Sequence, residues 1–319
     1  MKKHRLSALF LVALFLFSML GEAAYAAPKT MPNGVVFDAA FYAATYPDVV
    51  AALGKSESAL FKHYMTFGIK EGRRPTADAA AGQPAVQKPS ATAAPVVAPK
   101  AFQKRWKGRN VSILGDSIST FGGTIPENYV PFYPKDEMPT SDLTWWMQTI
   151  RAGGMKYVRN ASWSGSRVTG NANEESGNPG CSVKRAKDLF GKDTAPNLIF
   201  VMMGANDFLA DVAPDSFAAG YRTMLNNLRS IHPGAQVVCL TITPIICTST
   251  GTRMQNDSGL TTDDYNSRIR TVAAEFGIPV CDTAACGIST DNWSAYLIDG
   301  LHPNAQGMAL IASYIVNHL

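Results

Sequence analysis

The strongest constraint on the fold is a set of continuous apolar runs in the last two thirds of the chain. Val111–Leu114, Leu198–Met203 and Val237–Ile242 contain almost no polar residue, and Tyr157–Asn160 and the weaker Ile278–Cys281 complete the series. The three continuous runs do not alternate, so each predicts a strand covered on both faces. Helical stretches lie between or after them: Leu143–Arg151, Ser216–Ile231, Thr262–Phe276 and Ala305–His318. Buried strands separated by helices predict a parallel sheet with helices on both sides. Residues 104–319 are enough for one such α/β/α domain. Ligands of these sheets bind beyond the carboxyl ends of the strands.

The rest of the chain reads as three further segments. Residues 1–26 have a basic start (Lys2, Lys3, Arg5), an apolar run Leu6–Leu20 and the small-x-small end Ala24-Tyr25-Ala26. That is the layout of a cleaved secretory signal peptide, and the apolar run falls short of the roughly 20 residues needed to span a bilayer. No cysteine follows the small residues, so a lipoprotein anchor is not indicated, and no later stretch reads as transmembrane. The expected location is therefore secreted or cell-surface. Residues 76–101 are rich in alanine and proline and read as a linker. Residues 35–75 hold Phe37, Phe41, Tyr42, Tyr46, Leu53, Leu60, Phe61, Tyr64 and Phe67 at spacings that suit short amphipathic helices. This unit resembles a short module of bacterial surface and exported proteins, on Phe37-Asp38, Phe41-Tyr42, Pro47-Asp48-Val49, His63-Tyr64 and Gly68 with Glu71-Gly72-Arg73. Its aromatic stripe and His63 read as core rather than as a ligand site.

Composition narrows the partners. The 319 residues are 46% hydrophobic and 17% charged, with a net charge of +4. Such a balance gives no reason to expect nucleic acid or an anionic membrane. Five cysteines, without any Cys-x-x-Cys, do not make a disulfide framework or a zinc ribbon. Export permits disulfides. The odd number leaves at least one thiol unpaired within a monomer, with Cys239 the expected free one. Cys281 and Cys286 are placed to close a small loop, but the pairing is open.

The chemistry gathers where strands end. Gly115-Asp116-Ser117 follows the first strand, so Ser117 sits at a strand-to-helix turn with its N–H available to an oxyanion. A serine nucleophile needs a base, and the domain has three histidines. His232 lies in a His-Pro-Gly turn and His318 one residue from the end. His302 lies in Asp299-Gly300-Leu301-His302-Pro303-Asn304, where Asp299 can hold the imidazole tautomer. No second cluster of ligating side chains completes a metal site around this pair, and no cofactor is expected. The second strand runs into Asn160-Ala161-Ser162-Trp163-Ser164-Gly165-Ser166. Gly165 would let a substrate oxygen approach a backbone N–H. The third runs into Met203-Gly204-Ala205-Asn206-Asp207, where Asn206 can donate its amide and where Asn206-Asp207 also suits an ordinary helix cap.

These blocks, in this order and spanning Gly115 to His302, resemble the SGNH/GDSL hydrolase family. The resemblance implies a flavodoxin-like α/β/α fold and metal-free esterase chemistry. It implies Ser117 as nucleophile, His302 as base and Asp299 as its orienter, with Ser117, Gly165 and Asn206 forming the oxyanion hole. One departure is Ser162, where the commoner pattern has a glycine.

Substrate is read from the surrounding aromatics. Phe121, Tyr129, Phe132, Tyr133, Trp145 and Trp146 lie between nucleophile and second strand, with Trp163, Trp293 and Tyr296 further on. Two or three of these are expected to line a cleft, and one of the Trp145–Trp146 pair to face the core. Trp163, Trp293 and Arg167 are the candidate substrate contacts. No long apolar lid of lipase type is present. An exported enzyme with aromatic loops points to short acyl esters, in particular O-deacetylation of a carbohydrate. The alternatives are a lipolytic esterase or thioesterase for longer chains, and a non-catalytic surface protein that binds glycan through its first module.

Overall fold

The computed structural model describes residues 28–31, 35–69, 71–77, 95–171 and 178–319. The expected leader and most of the expected linker lie outside them. The chain divides into two compact units, Met1–Gln87 and Lys88–Leu319.

In the first unit, β1 (Lys29–Thr30) pairs antiparallel with β2 (Val36–Phe37). Three short helices follow: α1 (Ala39–Thr45), α2 (Pro47–Leu53) and α3 (Glu57–His63), with a π-helical turn at Tyr64–Gly68. Asp38 starts α1 by accepting the Phe41 N–H at 2.8 Å. Phe37, Tyr42, Val49, Leu60 and Tyr64 are buried together, so most of the aromatic stripe is core. His63 Nδ1 lies 3.1 Å from the Tyr42 hydroxyl, which makes it a packed histidine. A bidentate pair between Arg73 and Asp48, at 3.0 and 2.7 Å, closes the unit.

The second unit opens with α4 (Lys100–Trp106) and is built on a five-stranded, wholly parallel sheet. Its strands are β3 (Asn110–Gly115), β4 (Lys156–Asn160), β5 (Leu198–Met202), β6 (Gln236–Leu240) and β9 (Val280–Cys281). They lie in the order β4-β3-β5-β6-β9. The chain thus runs from β3 outward to β4, returns past β3 to β5 and continues outward, which is the flavodoxin-like order. Gly115 is level with Met202, and Met202 with Leu240, so the carboxyl ends of the three central strands finish together.

Side-chain alternation along these strands feeds two cores. Val111, Ile113, Leu198, Phe200, Met202, Val238 and Leu240 point to one face, with α5 (Trp145–Ala152) and α11 (Ala305–His318). Leu114, Ile199, Val201, Val237 and Cys239 point to the other, under α8 (Pro214–Ile231) and α9 (Thr262–Glu275). Each apolar run is therefore buried on both sides, as its composition required. α6 (Val183–Lys187), α7 (Ala205–Leu209), the hairpin β7–β8 (Ile246–Cys247 and Thr252–Arg253) and the short α10 (Trp293–Tyr296) are further elements of the unit. Among the described residues no helix is long and apolar enough to cross a membrane.

No disulfide joins any two of the five cysteines. Cys239 fits the expectation, but the Cys281–Cys286 loop is not closed. Cys281 ends β9, and Cys286 follows a 3-10 turn at Thr283–Ala285. Both side chains are packed into the same apolar core as separate thiols. Burial pushes the Cys281 thiol up to about 12 and the Cys286 thiol to about 11. Half-buried Cys247 is the opposite case: hydrogen bonds with Ser249 and Thr250 lower it to about 7. Ellman's reagent should accordingly label one thiol quickly in the native protein and five after unfolding in guanidinium. Cys247→Ser should abolish the fast phase, and fewer than five thiols in denaturant would reveal a bridge.

Candidate active site

The turn that carries Ser117 is held from several sides. β3 ends at Gly115, where a Cβ would sit 2.6 Å from Ser119 Oγ and 2.8 Å from Ser162 Oγ, so no side chain fits. Asp116 then caps a 3-10 turn at Ser117–Ser119, its Oδ1 accepting the Ile118 N–H at 3.1 Å. The Ser119 carbonyl accepts from Trp146 Nε1 at 3.0 Å and from Asn160 Nδ2 at 2.7 Å. Ser119 Oγ accepts from Trp145 Nε1 at 3.1 Å. Both indoles are therefore in the core, not one of them as the helical spacing alone predicts. Their polar edges supply donors that the short turn needs.

His302 reaches this turn from the far end of the chain. Its Nε2 lies 2.9 Å from Ser117 Oγ and its Nδ1 2.7 Å from Asp299 Oδ2. An ionised carboxylate only accepts, so Nδ1 carries the proton and Nε2 accepts from the Ser117 hydroxyl. Asp299 Oδ1 also takes the His302 N–H at 2.8 Å and the Leu301 N–H at 3.1 Å. Partial burial pushes the Asp299 carboxyl up, but the bonds from the His302 ring and from these two amides outweigh it and hold it at about 2. Ser117 is 5% and His302 8% exposed, which shields the bond between them from water. His232, by contrast, is buried with its Nε2 2.7 Å from the Ala186 carbonyl. His318 bonds to the Tyr314 carbonyl on its own helix.

The expected oxyanion donors come from three adjacent strand ends. Gly165 has φ +78°, a left-handed conformation that favours glycine, and faces open space. Glycine is thus required there by the backbone, beyond the close approach read from sequence. Among the described residues, neither the Ser117 nor the Gly165 N–H donates to a protein acceptor. Asn206 lies in the first turn of α7 and spends one amide hydrogen on the Ser166 carbonyl at 3.0 Å. That bond ties β5's exit to the Gly165 loop.

Two residues that the sequence left without a role hold these pieces in register. Asp207, buried, accepts from Val168 N–H at 2.7 Å, Thr169 N–H at 3.0 Å and Thr169 Oγ1 at 2.8 Å. It clamps the Gly165 loop to α7. Arg185, also buried, donates to the carbonyls of Gly115 at 2.8 Å, Ala161 at 2.9 Å and Asn178 at 2.6 Å. Asp207 was visible only as half of an Asn-Asp cap, and Arg185 sits in a basic stretch that gives no sign of burial.

Of the candidate substrate contacts, half-buried Trp163 packs on the Tyr129 ring, centroids 4.3 Å apart. Arg167 is exposed beside the Gly165 loop, and half-buried Trp293 starts α10. Among the described residues no cluster of three or more His, Cys, Asp or Glu is placed to hold a metal.

A serine–histidine–aspartate relay at the carboxyl edge of a doubly wound parallel sheet defines an α/β/α hydrolase. A family model described as the GDSL-like lipase/acylhydrolase family matches residues 113–310, and the chain belongs to that family of ester-hydrolysing enzymes. No curated protein matches the sequence. Similar solved structures include a protein from Lactobacillus plantarum, 19% identical, covering 66% of this chain and 96% of its own, with TM-score 0.50. Another is the carbohydrate acetylesterase Est24 from Sinorhizobium meliloti, 17% identical, covering 66% of this chain and 97% of its own, with TM-score 0.47. At these identities the likeness concerns the fold alone.

Asp299 and Asp116, the residue before Ser117, are shifted in opposite directions. Burial pushes Asp116 up to about 6, against the Ile118 N–H bond and the charges of His302 and Arg185. A carboxyl that binds its proton more tightly folded than unfolded adds stability below its unfolded value, near 3.9, and loses it as pH rises through about 6. Asp116→Asn should therefore raise the melting temperature relative to the parent at pH 8. The gain should vanish at pH 4, read by thermal unfolding across that range.

Proposed function

We propose that this enzyme is an exported serine esterase that removes short acyl groups, acetyl above all, from a carbohydrate. The observation that carries the catalytic part is the continuous hydrogen-bonded line from Ser117 Oγ through the His302 imidazole to Asp299. In this reading His302 Nε2 takes the Ser117 proton as Oγ attacks the ester carbonyl. The Ser117 and Gly165 N–H groups and the Asn206 amide bind the tetrahedral oxyanion. The imidazolium, held by Asp299, then protonates the departing alcohol. A water deprotonated by the same nitrogen cleaves the acyl-enzyme and restores the serine.

The carbohydrate part rests on Trp163 with its Tyr129 backing and on Trp293, flat aromatic surfaces of the kind that stack on sugar rings. Arg167, exposed two residues after Gly165, would contact polar groups of the substrate. Export rests on the three-part layout of residues 1–26, and retention at the cell surface would fall to the 35–75 unit.

Hydrolysis of p-nitrophenyl esters by the secreted chain should fall from acetate through butyrate to octanoate and vanish in Ser117→Ala. Acetylated glycans should release acetate under the same conditions. Rates that rise with chain length, with no acetate from glycans, would refute the acetylesterase reading. Asn206→Ala should lower kcat by roughly 10²–10³ with the fold intact by circular dichroism. Asp299→Asn should cost roughly 10²–10⁴, because the carboxylate is the ring's partner at Nδ1.

A further inference from the structure

The His302 ring has a third neighbour that neither the relay nor the oxyanion donors account for. Phe132 lies parallel to it, centroids 3.5 Å apart and planes 10° apart. At that separation the rings are at van der Waals contact with almost no lateral offset. Two neutral aromatic rings disfavour such a sandwich and prefer offset or edge-on packing. A cation over a ring face is attracted instead. The arrangement therefore suits an imidazolium better than an imidazole, and an imidazolium is what His302 becomes on taking the Ser117 proton.

The ring is held in place rather than resting there by chance. The Phe132 N–H donates to Thr120 Oγ1 at 2.8 Å, and that hydroxyl donates to the Ser117 carbonyl at 2.9 Å. The next residue, Tyr133, is buried and donates its hydroxyl to the Pro303 carbonyl at 2.6 Å, beside His302. The Tyr133 carbonyl in turn accepts the Gly122 N–H at 2.8 Å. Residues 132 and 133 thus bridge the nucleophile turn and the histidine turn, two segments far apart in sequence.

We infer that Phe132 is a positioning residue whose ring face stabilises the protonated His302 formed during turnover. It resists rotation of the imidazole out of the Ser117–Asp299 line and adds attraction only once the ring is charged. This is differential stabilisation of the transition state, so it acts on kcat rather than on substrate affinity. The inference rests on the reading of His302 as the general base.

The test is p-nitrophenyl acetate and butyrate hydrolysis by the full chain carrying Phe132→Leu, Phe132→Tyr, or phenylalanine with one, two or three ring fluorines at position 132. Fluorine drains the negative potential of the ring face while leaving its shape almost unchanged. Because Lys135 Nζ also lies over this ring, 4.9 Å from its centroid, the series is run in a Lys135→Met background as well, where the same stepwise fall is expected. Phe132→Leu should lower kcat roughly 3- to 30-fold on both esters, with KM within about twofold. Phe132→Tyr should keep near-parental turnover, and kcat should fall stepwise with each fluorine. A flat fluorine series, or a loss confined to KM or to one chain length, would make Phe132 a wall of the acyl site and overturn the inference. Turnover that persists in Ser117→Ala would instead overturn the catalytic reading beneath it.

Discussion

Everything at the working edge depends on strand ends that stay level, and a single buried guanidinium does much to keep them so. Arg185 satisfies carbonyls at the exits of β3 and β4 and at Asn178. An unpaired buried carbonyl costs about 1–3 kcal/mol, and an uncompensated buried charge more. The cation therefore requires these acceptors, of which the Gly115 carbonyl also takes the Trp163 N–H at 3.1 Å. With those exits joined, the Ser117 turn, the Gly165 loop and α7 start from a common base. Asp207 then closes the arrangement from the other side by holding the Gly165 loop to α7.

On that base the same functional group serves two ends by environment. Asp299 is 45% exposed on its side chain, accepts three hydrogen bonds and remains ionised far below neutrality. It can balance an imidazolium without taking its proton. Asp116, next to Ser117 in sequence yet fully enclosed, is pushed toward its neutral form by burial. Its work is local: it caps the turn that presents Ser117.

Much of this was legible beforehand. The strands were visible because residues such as Phe200 and Val201 must be apolar on consecutive positions when both faces are covered. The long helices were visible as helical stretches between or after the strands, as with Ala305–His318, which forms α11. Ser117, Asp299 and His302 were legible because few residue types can do this chemistry and they occur in short, ordered blocks. Less was legible where one residue type serves many purposes. Arg185 looks like any surface arginine, Phe132 like one of nine loop aromatics, and the cysteines of 281 and 286 like a loop closure. Helical spacing told one face of α5 from another, but not that both Trp145 and Trp146 have polar partners inside.

The sequence by itself determined the layered α/β architecture and pointed to Ser117, Asp299 and His302 as the candidate reacting groups. Both follow from local rules: the pattern of burial along each element and the chemistry available to each side chain. Only the tertiary structure decided which side chains meet across long separations. The contact between Ser117 and His302 spans 185 residues, and the stack of Phe132 on that histidine spans a similar distance. Such contacts depend on how strand ends align and loops return. Those are properties of the packed whole, because each is set by the sum of many small burial and hydrogen-bond terms rather than by any one segment.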